Sequence, residues 1–239
     1  MTQERDWKRI RERLALQLPV RVHCRETPDF GWTEITRLIN VTPFGAGFTL
    51  KRPTEKGRLV HMTIPMPRQL RVFDHVEDQY RIWAIVRHLK NKSTGNEAAF
   101  EMGVAFIGKR APASYEAEPW KRYDVTFNPT QQLATINETP LVGSADDRQH
   151  TRHNIAVDMR LELVDQDGAV IKTEQTVTEN ISAQGATLFT TLEILVGRFV
   201  RITSEQYRMT VYAAVRSRST GADGVARIHV EFIDKLWPL

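Results

Sequence analysis

From about residue 19 onward, apolar and polar side chains alternate along most of the chain, and a period of two is the pattern of half-buried strands. Val20, Val22 and Cys24 fall on one face, with Arg21, His23 and Arg25 on the other. Val157, Met159, Leu161 and Leu163 alternate with Asp158, Arg160 and Glu162, and Ile228, Val230 and Phe232 with His229 and Glu231. Hairpin-type turns separate the runs at Asp167-Gly168, Ser93-Thr94-Gly95-Asn96 and Gly221-Ala222-Asp223-Gly224. This reading predicts six strands in the first half, near 19–26, 32–39, 46–50, 58–65, 80–91 and 98–107. Six more follow near 157–165, 170–178, 186–191, 198–203, 207–217 and 225–233. Short antiparallel strands in these numbers close most readily into small barrels, because closure removes the exposed edges. The expected fold is therefore all-β, with two six-stranded antiparallel barrels in tandem. The texture changes between the halves. Ala113 to Glu118 suits a short helix after the first barrel, and the polar, turn-rich stretch beyond it suits a linker. The expected division is a first barrel over 1–125, a linker over 126–145 and a second barrel over 146–239.

The two halves share a bipartite motif. Arg9-x-x-x-Arg13 is followed by Asn40-x-Thr42-x-x-Gly45, and Arg148-x-x-x-Arg152 by Asn180-x-Ser182-x-x-Gly185. Arg13 and Asn40 are 27 positions apart (40 − 13), and Arg152 and Asn180 are 28 apart (180 − 152). Each half-motif alone is weak. The first arginine pair also continues Arg5-x-x-x-Arg9-x-x-x-Arg13, with Trp7, Ile10 and Leu14 on another face, as on a basic amphipathic helix. The second copy has no such helical pattern, so the shared spacing carries the weight.

In these motifs each half resembles a PilZ domain. That family has an Arg-x-x-x-Arg arm before the first strand and an Asp/Asn-x-Ser-x-x-Gly turn between the second and third. The resemblance covers nearly the whole chain, and Thr42 departs from the family's serine while keeping a hydroxyl. It implies a bacterial receptor for the second messenger cyclic di-GMP (c-di-GMP), which is bound as a ligand and not as a cofactor. Chemistry fits that expectation. A guanidinium donates in pairs to phosphate or to the guanine O6/N7 edge and stacks on a purine, which gives Arg9, Arg13, Arg148 and Arg152 their expected roles. Asn40 and Asn180 offer both donor and acceptor to a base edge, and Thr42 and Ser182 add a hydroxyl. Gly45 and Gly185 are expected to permit a tight bend and close approach of backbone N–H groups.

The remaining signals narrow the function. Cys24 is the only cysteine, which leaves no intrachain disulfide and no cysteine-rich zinc site. His150-x-x-His153 lacks a third ligand, so no metal is expected. No P-loop, Gly-x-Ser-x-Gly elbow or His-Glu-x-x-His helix occurs, so no enzyme is expected. No apolar run approaches the roughly 20 residues a membrane span needs, and the charged N-terminus does not resemble a secretory signal, so a cytoplasmic location without membrane insertion is expected. A net charge of +4 favours anionic partners in general. Two rivals to the receptor stay open. A barrel binding single-stranded nucleic acid would want exposed aromatics for stacking, and here aromatics fall mostly on apolar faces, so nucleic acid is not expected as a partner. A degenerate scaffold would bind protein only. No output enzyme is fused, and the downstream protein partner is not legible.

Overall fold

The computed structural model describes residues 14–94, 97–128, 133–139 and 151–239. The first barrel contains β1 (Pro19–Thr27), β2 (Phe30–Thr42), β3 (Gly45–Leu50), β4 (Leu59–Ile64), β5 (Tyr80–Asn91) and β6 (Phe100–Gly108). A hairpin of β7 (Arg122–Asn128) and β8 (Leu133–Thr139) follows. The second barrel contains β9 (Asp158–Val164), β10 (Val170–Ser182), β11 (Gly185–Phe189), β12 (Phe199–Ser204), β13 (Met209–Thr220) and β14 (Ala226–Phe232). Each barrel is antiparallel and closed, in the orders β1-β2-β3-β6-β5-β4 and β9-β10-β11-β14-β13-β12. The two orders are the same when read strand for strand.

Alternation puts one face of every strand inside. Val20, Val22, Cys24, Trp32, Phe48 and Phe100 belong to the first core, and Met159, Leu161, Leu188, Ile202 and Ile228 to the second. The expected short helix is a single 3-10 turn, Ala113–Tyr115, which buries Tyr115. The stretch expected as a linker is different. Part of it forms the β7–β8 hairpin, and Tyr123, Val125 and Ile136 pack with Leu59, Ile85 and Tyr115 on the outside of the first barrel. Burial of these three side chains gives the hairpin a reason to fold.

Two clusters of buried charge join the barrels. Glu26, at the end of β1, accepts from Arg52 Nη2 at 2.9 Å, Arg198 Nε at 2.9 Å and the Phe199 N–H at 3.1 Å. Glu55 takes Arg58 Nη2 at 2.8 Å and both terminal nitrogens of Arg216, one of them at 3.0 Å. Arg58 also donates to the carbonyls of Pro119 and Gly197. Gly197 sits at φ +93°, and a β-carbon there would lie 2.3 Å from the Glu26 carbonyl oxygen and 2.6 Å from Trp120 Cβ. No other residue fits that contact. Burial alone would raise the Glu55 carboxyl, but Arg216, Arg58 and Arg122 outweigh it and hold the pKa at about 2.

A depressed folded-state pKa stabilises the fold above the unfolded value and loses that contribution as pH falls through the folded one. Stability of the wild-type chain should therefore drop between about pH 4.5 and about pH 2. Glu55→Gln should flatten that part of a urea-denaturation profile measured against pH. Glu26→Ala leaves two arginines facing an apolar void and should cost about 3–5 kcal/mol in the same assay at neutral pH.

Candidate ligand-binding site

The repeated Asn-x-Ser/Thr-x-x-Gly motif folds the same way twice. Thr42 pairs with Gly45 across a two-residue turn, and Ser182 pairs with Gly185. The hydroxyls close these turns. Thr42 Oγ1 accepts the Phe44 N–H at 3.2 Å and donates to the Gly45 carbonyl at 3.3 Å, while Ser182 Oγ donates to the Gly185 carbonyl at 3.2 Å. The glycines serve strand packing. A β-carbon on Gly45 would lie 2.2 Å from the Val104 carbonyl oxygen, and one on Gly185 would lie 2.3 Å from that of Val230. Neither glycine has a positive φ. Their physical role is close approach between neighbouring strands, in place of the tight bend and exposed N–H groups that the sequence suggests.

One position before the motif's asparagine, each β-strand carries a bulge, between Leu38 and Asn40 in β2 and between Thr178 and Asn180 in β10. A bulge leaves one residue unpaired and re-aims its neighbours. The half-buried Asn40 and Asn180 follow these bulges directly.

The arms reach the same place in both halves. Leu14, next after Arg13, exchanges both backbone hydrogen bonds with Val41, at 3.0 and 3.1 Å. His153, next after Arg152, does the same with Ile181, at 2.8 and 2.9 Å. Val41 and Ile181 each follow the motif asparagine, so the end of each arm is stitched beside it. Arg152 is exposed there and bears electrostatically on His229. Arg9, Arg13 and Arg148 lie outside the described residues.

A row across the second barrel adds two residues that the motif does not contain. Asn180 stands opposite Thr187, Thr187 opposite His229, and His229 opposite Ser217. Thr187 Oγ1 donates to Asn180 Oδ1 at 3.1 Å and lies 2.9 Å from His229 Nδ1. The hydroxyl has one proton, already given to Asn180, so Nδ1 carries the proton of the neutral imidazole. Asn180 then keeps its NH2 group for other partners, and His229 Nε2 is an acceptor 3.4 Å from the Ser219 hydroxyl. Burial lowers the His229 pKa, and Arg152 lowers it further. Arg227 is occupied, paired with Glu179 and Asp223 and lying 4.6 Å above the Phe189 ring. The matching row of the first barrel is Asn40, Gly47, Gly103 and His88. Its middle is bare backbone, where the second barrel has Thr187 and His229.

The family model described as "PilZ domain" matches residues 146–236. Residues 146–236 belong to the PilZ family. The first barrel repeats the PilZ strand order, bulge, turn and arm stitch, and the chain fits a tandem of two such barrels. No curated protein matches the sequence. Among solved structures, the chain is similar to the Bacillus subtilis inhibitor of motility (MotI/DgrA), at 10% identity over 93% of this chain and 90% of that one, with a TM-score of 0.32. It is similar to Borreliella burgdorferi PlzA in complex with c-di-GMP at 12% identity, covering 94% and 84%, with a TM-score of 0.29. It is also similar to Escherichia coli YcgR in complex with c-di-GMP, at 12% identity over 91% and 76%, with a TM-score of 0.28. Among the described residues no cluster of three or more His, Cys, Asp or Glu could hold a metal, and no helix is long and apolar enough to cross a membrane.

The packing separates two kinds of motif residue. Gly185→Ala must push β11 away from β14 and should destabilise the PilZ domain by at least about 1–3 kcal/mol. Asn180→Ala removes a half-buried amide and the bond it accepts from Thr187, whose hydroxyl keeps His229 as a partner, and should leave the thermal midpoint within a few degrees of wild type. Differential scanning calorimetry of the two variants checks the contrast.

Proposed function

We propose that this chain is a cytoplasmic, non-catalytic receptor for c-di-GMP, with one site at the arm and turn of each barrel. The observation that carries the reading is the doubled stitch, Leu14 to Val41 and His153 to Ile181, which holds the residue next after Arg13 or Arg152 beside the residue next after the motif asparagine. The PilZ match over 146–236 supports it independently. In this reading Arg9, Arg13, Arg148 and Arg152 grip phosphate and guanine, while Asn40 and Asn180 read the base edge. Thr42, Ser182, Gly45 and Gly185 hold the turns that present those asparagines. Asn180, fixed as a donor by Thr187, addresses the acceptor edge of guanine or a phosphate oxygen, and His229 Nε2 addresses a guanine N–H.

Occupancy is relayed by ordering of the arms and by a shift between the barrels that a downstream protein senses. A covalent and ionic route supports that relay. Glu231 stands opposite Gly185, and its carboxylate takes Arg216 at 2.8 Å and Arg122 at 3.0 Å. Arg216 also grips Glu55 of the first barrel.

Titration calorimetry with c-di-GMP tests the assignment. Arg13→Ala and Arg152→Ala should each remove one class of site, and the double variant should not bind. A double variant that binds like the wild type would refute it. The His229 environment adds a pH arm. Its pKa lies below the ordinary 6.5, so the ring is neutral at pH 7 and gains a proton on Nε2 in acid. In the Arg13→Ala background, phosphate affinity should rise as pH falls below 6.5, by about tenfold if one charge-assisted bond is gained. His229→Gln should abolish that rise.

A further inference from the structure

Residues of the β5–β6 hairpin of the first barrel face residues of β9, β12 and β13 of the second, and Asn180 and its turn are not among them. A cleft of about 570 Å³ lies between them. Small-molecule sites are commonly of this size and occur preferentially between domains. Four cations line it, Lys90, Arg160, Arg201 and Lys235, against two carboxylates, Glu97 and Asp234.

Their engagements are unequal. Arg201 is satisfied, with Nε 2.6 Å from Glu162 Oε2. Asp234 is turned to structural work, accepting Asn91 Nδ2 at 2.7 Å and the Tyr212 N–H at 2.9 Å. Lys90 and Lys235, one from each barrel, are exposed and make no salt bridge among the described residues, although Asp234 feels Lys235 at longer range. Arg160 Nε is buried without a hydrogen-bond partner among the described residues, and Glu162 is 3.6 Å from it. Lys90 and Lys235, without a salt bridge, and Arg160, whose Nε is turned to Glu162 but whose terminal nitrogens make no hydrogen bond among the described residues, therefore line one opening.

The floor is polar and firm. Thr203 and Thr210 hydroxyls bond each other at 3.0 Å and keep further capacity, and the Tyr212 ring is held edge-on by Phe100 at 4.9 Å. Leu89 and Ala98 supply an apolar wall. We infer that this cleft is a second ligand site, separate from the arm-and-turn sites, which takes a phosphorylated small molecule of nucleotide or sugar-phosphate size. The phosphoryl group lies among Lys90, Lys235 and Arg160. The organic part fills the remaining volume against Leu89, Ala98 and the Tyr212 face. Because the lysines come from different barrels, such a ligand also ties the barrels together.

The test is titration of the full chain with GMP as probe, beside guanosine and inorganic phosphate. The expected result is saturable GMP binding in competition with phosphate, with no binding of guanosine. Lys90→Ala with Lys235→Ala removes two exposed side chains, cannot disturb the cores, and should weaken GMP by at least about tenfold while c-di-GMP binding stays at the wild-type value. Arg152→Ala should leave GMP binding in place. The inference is overturned if GMP does not saturate by about 1 mM, or if guanosine binds as well as GMP. It is equally overturned if the lysine double variant binds GMP like wild type, or if Arg152→Ala removes GMP, which would assign the nucleotide to the arm-and-turn site. The c-di-GMP titration of the same samples reports separately on the proposed receptor function.

Discussion

In each barrel a carbonyl oxygen stands where the β-carbon of any residue but glycine would be: that of Val104 against Gly45, and that of Val230 against Gly185. The third and sixth strands can approach only because those positions have no side chain, and much follows from that approach. It starts the third strand in the register that pairs Val41 with Ala46 and Ile181 with Ala186. It lets the Thr42 and Ser182 hydroxyls cap two-residue turns. With the turn set, the bulge one step earlier places Asn40 and Asn180, and the free edge beyond them receives Leu14 or His153. Filling the glycine position would undo the anchorage of Leu14 or His153 along with the packing, so the glycine is needed for its lack of a side chain.

The junction between the barrels buries charge beside its aromatic contacts. Glu26, Arg52, Glu55 and Arg58 are almost without solvent exposure. Burying such groups is unfavourable unless every charge meets a well-placed partner, and replacing them all with apolar side chains often stabilises a protein. What ion pairs give in exchange is direction. An apolar seam tolerates sliding, whereas Glu26 accepts from Arg52, Arg198 and the Phe199 N–H at once and so fixes both translation and rotation. The same chemistry makes the seam responsive. Glu231 belongs to the strand that packs on Gly185 and shares Arg216 with Glu55, so a small displacement of the Ser182–Gly185 turn alters the partners of a buried carboxylate.

The fold was largely legible because a strand's period of two is local. Val20, Val22 and Cys24, or Ile228, Val230 and Phe232, announce their inward face without knowledge of any partner, and all six are buried. The repeated turn was legible at Asn40 and Asn180 and their glycines, although the reason for the glycines was not, since the Val104 and Val230 carbonyls lie on another strand. Three things needed the register. Thr187 and His229 join Asn180 only across strands. The seam pairs Glu26 with Arg198 at a separation of 172 positions. The β7–β8 hairpin hides among polar residues, and its apolar stripe of Tyr123, Val125 and Ile136 gains meaning only when Leu59 and Ile85 are seen outside the first barrel.

The duplicated motif conceals two different surfaces. Beside Asn40 the next two strands offer Gly47 and Gly103, so the amide stands over bare backbone, and a flat group can lie against the sheet there. Beside Asn180 the same two places hold Thr187 and His229, which bond each other and fix the amide's orientation. Pre-orientation lowers the ordering cost of a hydrogen bond but removes the choice between donating and accepting. The first surface is thus permissive in shape and in hydrogen-bond sense, and the second is committed in both. The histidine appears in both rows but on different strands, His88 on β5 and His229 on β14, one strand nearer the asparagine in the second barrel. A duplicated unit that keeps its turn geometry while exchanging Gly-Gly for Thr-His has kept the means of holding its asparagine and changed the surface beside it.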